Sequence, residues 1–165
     1  MKKSTITASV LCALMMLSLL TACSGNKVRD DVAVSSVVSA IDTAIGNTDD
    51  ANLVPAPESF IRGSMKMDVS DYSEYTVKIN SRGINIDEYG VFKGADSEQT
   101  AAIEQSIKDY FAFRLESWMP EYMPEELPKL ENAKLQVVGN YVMYAIMADD
   151  QKTPAFEAFA AALKA

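Results

Sequence analysis

The run from Tyr141 to Met147 (Tyr-Val-Met-Tyr-Ala-Ile-Met) constrains the fold most, because it predicts a strand that is apolar on both faces. Alternate side chains of a strand point to opposite sides, so both sides of this strand must be covered. We therefore expect an inner strand of a sheet that carries helices on both faces. Gly139–Asn140 is a two-residue hairpin signal, and it pairs this strand with one over residues 133–138.

A second hairpin precedes the first one in the chain. Residues 75–80 alternate apolar and polar side chains, which predicts a half-buried strand. Ser81–Gly83 then turns the chain, and Asp87–Lys93 predicts the returning strand. Residues 47–57 are predicted to form a loop because Asn, Asp and Pro are frequent in them.

The strongest helical pattern lies between the two hairpins. Asp96 followed by Gln99 resembles a capping box that opens this helix, and Pro120 and Pro124 are predicted to stop it. The residues predicted to face inward at helical spacing are Ile103, Ile107, Tyr110, Phe111, Leu115 and Trp118.

Two further helices are predicted, one at each end of the domain. Asp30 and Asp31 are expected to open the first helix at its positive dipole end, and Gly46 is expected to end it. Thr153 and Pro154 are predicted to be the N-cap and the first residue of the last helix.

The element order is therefore α-β-β-α-β-β-α, over residues 30–165. This order predicts a single α+β domain, in which an antiparallel four-stranded sheet is packed with helices. A domain of this length can bury a full core without disulfides or structural metals.

The amino terminus has the features of a secretory signal peptide. Lys2 and Lys3 form a positive start, and residues 8–20 form an apolar stretch. That stretch is short for a membrane-spanning helix, which needs about 20 apolar residues. It runs into a tetrapeptide that resembles the lipobox of bacterial lipoproteins, namely Leu20, Thr21, Ala22 and Cys23.

The lipobox resemblance implies a signal peptide over residues 1–22 and a lipidated tether over residues 23–29. Acyl chains on Cys23, such as palmitate, would anchor the protein to the lipid bilayer at the extracytoplasmic face of the cell membrane. The expected partners are this bilayer and a membrane or cell-envelope protein.

Composition excludes several kinds of chemistry. The chain has no histidine, and its two cysteines are Cys12, which leaves with the signal peptide, and Cys23, which the lipid occupies. A Ser-His-Asp triad, thiol catalysis and a histidine or cysteine metal site are therefore excluded from the mature domain. We predict no cofactor and no metal. A formal net charge of −8 argues against nucleic acid as a partner.

Three segments carry a family resemblance. They are Asp87–Lys93 (Asp-Glu-Tyr-Gly-Val-Phe-Lys), the long helix that ends near Trp118, and Gly139–Val142 within the second hairpin. Together they resemble a family of small bacterial lipoproteins known as domain of unknown function 4358, from about Asp30 to the carboxyl terminus. The resemblance implies the fold and the location but no activity. A larger apolar residue is usual in the family where this chain has Gly90, which predicts a bulge in the strand.

Clusters of carboxylates are the first candidates for a metal-binding or catalytic site. Two acidic segments, residues 47–50 and 68–74, could ligate Ca²⁺, but neither has a calcium-loop pattern, and solvated acidic turns are the expectation. Asp87 and Glu88 are neighbours on a strand and so point to opposite faces. A hydrolase that uses carboxylates or a serine is therefore a distant alternative, and no catalytic residue is predicted.

Methionine pairs suggest a second alternative. Thioethers are soft ligands for Cu(I), and the chain has Met65 with Met67, Met119 with Met123, and Met143 with Met147. Methionine also fills irregular gaps in cores, which is the expected role here. A small-ligand or Cu(I)-binding lipoprotein remains the alternative function.

The candidate interaction surface comprises Trp118, Met119, Tyr122 and Met123, in a loop stiffened by proline. Aromatic and Met side chains are enriched at binding interfaces. Alternatively, Trp118 and Tyr122 fold back over the open end of the sheet. We expect a non-enzymatic interaction or binding module held at the membrane.

Overall fold

The computed structural model describes residues 28–119 and 121–165. The predicted signal peptide, the lipobox (Leu20, Thr21, Ala22 and Cys23) and residues 23–27 of the tether lie outside the described residues. Among the residues described, no helix is long and apolar enough to cross a membrane.

The sheet is antiparallel, as predicted, and has five strands in the order β1-β2-β3-β5-β4. The strands are β1 (Leu53–Pro55), β2 (Glu74–Asn80), β3 (Glu88–Lys93), β4 (Lys134–Val138) and β5 (Tyr141–Ile146). The mixed α+β class and all four predicted strands are confirmed, and β1 is additional. All six residues of β5 are buried, so the prediction of a doubly covered inner strand is also confirmed.

The helices are α1 (Val34–Ile45), α2 (Glu58–Gly63), α3 (Ser97–Glu116), α4 (Leu127–Glu131) and α5 (Asp149–Ala162). Short 3₁₀ turns cover Thr48–Asp50, Val69–Asp71 and Pro124–Glu126.

Each face of the sheet has its own core. On one face α1 and α5 pack over Tyr89, Val91 and Met143. On the other face α2, α3 and α4 pack over Phe92 and Tyr144. The fold is therefore three-layered, with the sheet in the middle.

Strand β1 lies in the segment that was predicted to be a loop. Its three residues pair with β2 at the edge of the sheet, from Leu53 opposite Asn80 to Pro55 opposite Lys78. Proline is tolerated on an edge strand because its missing N–H is not needed there. A three-residue strand has too little alternation to be visible in the sequence.

The predicted start of the first helix is wrong. Asp30 and Asp31 precede α1, which begins at Val34 without an acidic residue in its first turn. The Val34 N–H donates instead to Glu74 Oε2 (2.7 Å), so a carboxylate from β2 satisfies the helix start. The predicted end is confirmed, because Gly46 adopts φ 70° after the last helical residue.

The last helix begins about one turn earlier than predicted. Its N-cap is Ala148, so Thr153 is not the cap and Pro154 lies inside α5. The first turn is held by the buried Lys152, whose Nζ donates to the Asn132 carbonyl (2.6 Å) and to Asp149 Oδ1 (2.8 Å). These contacts offset the backbone hydrogen bond that Pro154 lacks.

Two side-chain predictions on the second face are also wrong. Gly90 does not mark a bulge, because the registers of β3 with β2 and with β5 run through it without interruption. The position is instead filled by the ring of Tyr144. Leu115, predicted to face inward on α3, is 41% exposed.

Candidate functional site

The two ends of the sheet are distinguished by the residues that pair across its strands. At one end Glu74, Lys93 and Tyr141 are successive neighbours across β2, β3 and β5. We call this the N-terminal end. At the opposite end Ile79, Glu88 and Ile146 are the corresponding neighbours. We call this the distal end.

The first described residues are attached to the N-terminal end. Val28 forms an antiparallel bridge with Lys164, and the Arg29 N–H donates to the Leu163 carbonyl (2.9 Å). Val28 also lies against the β4–β5 turn, where a Cβ on Gly139 would be 2.8 Å from its side chain. Val28, the first described residue, therefore lies at the N-terminal end, five residues after Cys23 in the sequence.

Helix α3 runs from the N-terminal end to the distal end. Gly94, three residues before α3, donates its N–H to the carbonyl of Asn140 in the β4–β5 turn (2.8 Å). At the other end of α3, Arg114 contacts Glu88. A helix of 20 residues is about 30 Å long, so the segment after α3 is displaced from Val28 by roughly the length of the domain.

A buried ionic network joins α3 to the sheet at the distal end. Glu88 is 3% exposed, and Arg114 Nη1 donates to its Oε2 (2.9 Å). The hydroxyls of Tyr110 and Tyr144 donate to Glu88 Oε1 at 2.8 and 3.2 Å. Burial raises the pKa of Glu88, and the positive charge of Arg114 and the Tyr110 hydroxyl oppose that rise.

The Glu88 carboxylate lies in the core between the sheet and α3, where Arg114, Tyr110 and Tyr144 hold it. Asp87 belongs to a different set of contacts, because its Oδ1 accepts from Lys129 Nζ (2.8 Å). The two neighbouring carboxylates therefore do not form an acid and base pair.

The loop that follows α3 contains the candidate interaction residues. We call residues 117–123 the distal loop; Pro120 lies outside the described residues. Met119 is 64% exposed and Tyr122 is 54% exposed, whereas Met123 is half-buried. Trp118 packs partly against the core of the second face. Its ring lies 6.4 Å from that of Tyr122 at an angle of 57°.

The backbone of the distal loop is fixed in an uncommon conformation. The Tyr122 N–H donates to the Met119 carbonyl, and the Glu126 N–H donates to the Met123 carbonyl (2.9 Å each). Met123 has φ 48°, in the left-handed region that side chains other than glycine rarely adopt. Strain of this kind concentrates at sites where the surrounding structure holds a loop in one shape. The Trp118 indole N–H is buried and has no acceptor among the described residues.

Acidic side chains lie close in the sequence to the exposed part of the distal loop. Glu116, Glu121 and Glu125 are exposed. Glu126 is buried, accepts the Ile86 N–H (3.0 Å) and pairs with Lys129 Nζ (2.8 Å). The loop thus combines exposed apolar side chains with exposed carboxylates that are close to them in the sequence.

The acidic segments considered for Ca²⁺ have protein partners. Asp50, together with Asp42 of α1, pairs with the buried Lys78 of β2. Asp68 accepts the Ser70 N–H (3.0 Å) and pairs with Arg62 (3.0 Å). In the part of the chain that the structure describes, no cluster of three or more acidic side chains could hold a metal ion.

Four of the six methionines considered for Cu(I) are in the cores. Met65 and Met67 lie in the core of the second face, and Met143 and Met147 lie in that of the first. The Met65 sulfur lies 3.8 Å from the Tyr144 hydroxyl oxygen. The two pairs are therefore separated by the sheet and serve packing.

The family model described as Domain of unknown function (DUF4358) matches residues 46–147. The chain belongs to this family. The matched DUF4358 segment contains all five strands, α3 and the distal loop, whereas α1 and α5 lie outside it. The matched segment is shorter than the segment from about Asp30 to the carboxyl terminus over which the sequence resembles the family. No curated protein and no solved structure matches the chain.

Sequence reasoning did not find the partners of Glu88. The available signal was the helical spacing of Tyr110 and Arg114, which lie four residues apart and so share a face of α3. A single arginine beside an apolar stripe does not show which strand carboxylate it meets. That pairing depends on how α3 lies across the sheet.

Proposed function

We propose that this protein is an extracytoplasmic lipoprotein, anchored through Cys23, whose distal loop binds a membrane or cell-envelope protein. The observation that carries the proposal is the placement of the two features at opposite ends of the domain. Val28, five residues after Cys23 in the sequence, lies at the N-terminal end, and Met119 and Tyr122 are exposed at the distal end. A domain tethered in this way presents the loop away from the lipid surface.

The shape of the distal loop supports a protein partner. Trp118 is held against the core, and Tyr122 packs beside it. Rigid aromatic side chains lose little conformational entropy on binding, so they are effective anchors at an interface. Met119 adds a flexible apolar side chain that adapts to the partner.

The charge of the loop indicates what the partner looks like. Exposed carboxylates lie close to Met119 and Tyr122 in the sequence, and the chain as a whole has a formal net charge of −8. The complementary surface is an apolar pocket with Lys or Arg at its rim. Insertion of the same loop into an anionic bilayer is disfavoured, because these carboxylates are repelled by the headgroups.

The proposed role is non-enzymatic. The chain has no histidine, and the buried carboxylate of Glu88 is enclosed by Arg114 and two tyrosine hydroxyls. The Glu88 side chain is buried in the described part of the chain, so a substrate cannot reach its carboxylate.

Photo-crosslinking in living cells tests this proposal. A photoreactive residue replaces Tyr122, and the matched control carries it at Gln105, an exposed position in the middle of α3. We expect one dominant protein adduct from position 122, no such adduct from position 105, and loss of the adduct when Met119 is changed to Ser. The same adducts from both positions, or none from position 122 in correctly lipidated protein, would contradict the proposed surface.

The anchor is tested in the same cells with Cys23→Ala. We expect this variant to lose incorporation of a palmitate analogue and to leave the membrane fraction, since the lipid supplies the membrane affinity. Unchanged labelling and membrane extraction would overturn the anchor while leaving the distal loop to be judged by its adducts.

A further inference from the structure

A second feature of the distal end is a polar cavity that is separate from the distal loop. It has a volume of about 200 Å³ and lies among the β1 edge, the β2–β3 turn and the start of α5. A single water molecule needs only about 10–15 Å³ of such space, so the cavity has room for a small organic molecule. Five amide side chains line it, namely Asn47, Asn52, Asn80, Asn85 and Gln151. The Asn47 amide is used in hydrogen bonds with Asp42 and with the backbone of Asn52 and Leu53.

The amides of the β2–β3 turn are oriented by the backbone. Asn80 Oδ1 accepts the Arg82 N–H, and Asn85 Oδ1 accepts the Asp87 N–H (3.0 Å each). One lone pair of each acceptor oxygen is therefore used within the turn, whereas both NH₂ groups have no acceptor among the described residues. The cavity thus has a surplus of hydrogen-bond donors.

Arg82 adds a positive charge to the same wall. The other three arginines of the chain each pair with a carboxylate: Arg29 with Asp31, Arg62 with Glu58, and Arg114 with Glu88. Arg82 pairs with no carboxylate of the described residues and donates through its side chain to the Ala51 carbonyl (3.2 Å). A guanidinium that has no carboxylate partner among the described residues, and that lies among amide donors, is suited to a ligand carboxylate.

The remaining lining groups limit the ligand further. Asp87 Oδ1 accepts from Lys129, and its second oxygen has no protein donor among the described residues. Ile84, at the cavity wall, is 65% exposed, and Ile45 contributes a second aliphatic surface. The cavity therefore offers a place for an anion, a place for an ammonium or hydroxyl group, and apolar surface.

We propose that this cavity is a binding site for a free amino acid or the carboxyl end of a short peptide. The carboxylate pairs with Arg82, the turn amides donate to the neighbouring carbonyl oxygens, and the ammonium or amide N–H faces Asp87. A small aliphatic side chain packs on Ile84. This site depends neither on the lipid at Cys23 nor on the distal loop, so it stands or falls separately from the function proposed above.

Nuclear magnetic resonance titration of the ¹⁵N-labelled full-length protein tests the site, with alanyl-alanine as the probe. We expect shifts at the backbone amides of Arg82, Asn85 and Gln151. Alanyl-alanine amide, which lacks the carboxylate, should bind about tenfold more weakly, since a hydrogen bond to a charged group is lost. Glucose, a neutral polyhydroxyl probe, should not shift these amides.

Two variants assign the carboxylate contact. Arg82→Gln and Asn52→Asp should each weaken alanyl-alanine binding about tenfold, the first by removing the cation and the second by adding a competing carboxylate. Arg62→Gln, which removes the same charge from an exposed helix position, is the matched control and should bind normally. Equal binding of the amide, binding of glucose alone, absence of shifts with alanyl-alanine, or equal loss in Arg62→Gln would each overturn the proposal.

Discussion

At the scale of single residues, Gly90 is required by packing. An added Cβ would lie 2.5 Å from Tyr144 Cε1 and 3.1 Å from Val77 Cγ2. The Tyr144 ring stacks near Phe92 (6.5 Å between centroids), and its hydroxyl reaches Glu88. The missing side chain on β3 thus creates the space that allows Tyr144 to complete the buried network.

We predict that Gly90→Ala lowers the free energy of unfolding by about 2 kcal/mol, because the tightly packed core must shift to admit the methyl group. Gly63→Ala is the control, since a Cβ there meets no atom within 4 Å, and it should be neutral or slightly stabilising. Urea unfolding of both variants measures the difference. Equal stability of the two variants would contradict the packing argument.

At the scale of elements, α3 is attached to the sheet by both apolar and ionic contacts. Ile103, Ile107 and Tyr110 are its buried core residues. At its end, Arg114 places a positive charge against the buried carboxylate of Glu88. Removal of one member of such a pair costs more than the pair itself contributes, because the other charge stays buried without a partner.

We predict that Arg114→Met lowers the free energy of unfolding by about 3 kcal/mol at pH 7. The loss should be smaller near pH 4. Burial already raises the pKa of Glu88 in the folded state, and removal of Arg114 raises it further. When the pKa of Glu88 is higher in the folded state than its unfolded value of about 4.3, protonation of Glu88 stabilises the folded protein. This stabilisation is fully present below about pH 4.3 and is lost as the pH rises through the folded pKa.

Urea unfolding of wild type and Arg114→Met at the two pH values measures this effect. The control is Arg62→Met. The Arg62 side chain is 47% exposed and its ion pairs are screened by solvent, so this change should have little effect on stability at either pH. A loss in Arg114→Met that does not change with pH would show that Glu88 stays ionised without its partner.

At the scale of the whole molecule, the direction of α3 defines the axis of the domain. Its first turn is next to the β4–β5 turn that contacts Val28, and its last turn leads into the distal loop. If Cys23 is lipidated, one end of this helix is close to the bilayer and the other is about 30 Å farther away.

We predict that a fluorophore at position 98 is quenched by a lipid-borne quencher more strongly than one at position 116. Glu98 and Glu116 are exposed acidic residues in the first and last turns of α3, so Glu98→Cys and Glu116→Cys change the charge equally. Vesicle-reconstituted lipidated protein is the sample, and Cys23→Ala is the control that should show no quenching. Equal quenching at both positions would contradict the proposed orientation.

Much of the secondary structure could be predicted because its signals are local. The Gly139–Asn140 turn, the Gly46 helix end and the Asp96 cap each depend on residues within one turn of the chain, and all three are present. The inner position of β5 also follows from its own composition, because a strand that is apolar on both faces cannot be left uncovered.

The residues of the candidate interaction surface could be predicted from the sequence, but which of their side chains are exposed could not. The sequence singled out Trp118, Met119, Tyr122 and Met123 as a group, and left open whether the rings are exposed or folded back. In the structure Trp118 packs against the core while Met119 and Tyr122 are exposed. Which side of a loop is covered depends on the neighbouring elements, and no local pattern encodes it.

By itself, the sequence determined the order of the three long helices and the four longer strands, and the double covering of β5, since periodicity and turn chemistry act over a few residues. It did not show β1, α2 or α4. Only the tertiary structure decided that Glu74 caps α1 from 40 residues away, that Arg114 meets Glu88 across 26 residues, and that the donors of the β2–β3 turn line a cavity. Such contacts join polar groups from distant segments. Their partners are chosen by the way helices and strands pack, because a buried polar group must find its hydrogen bonds wherever packing places it.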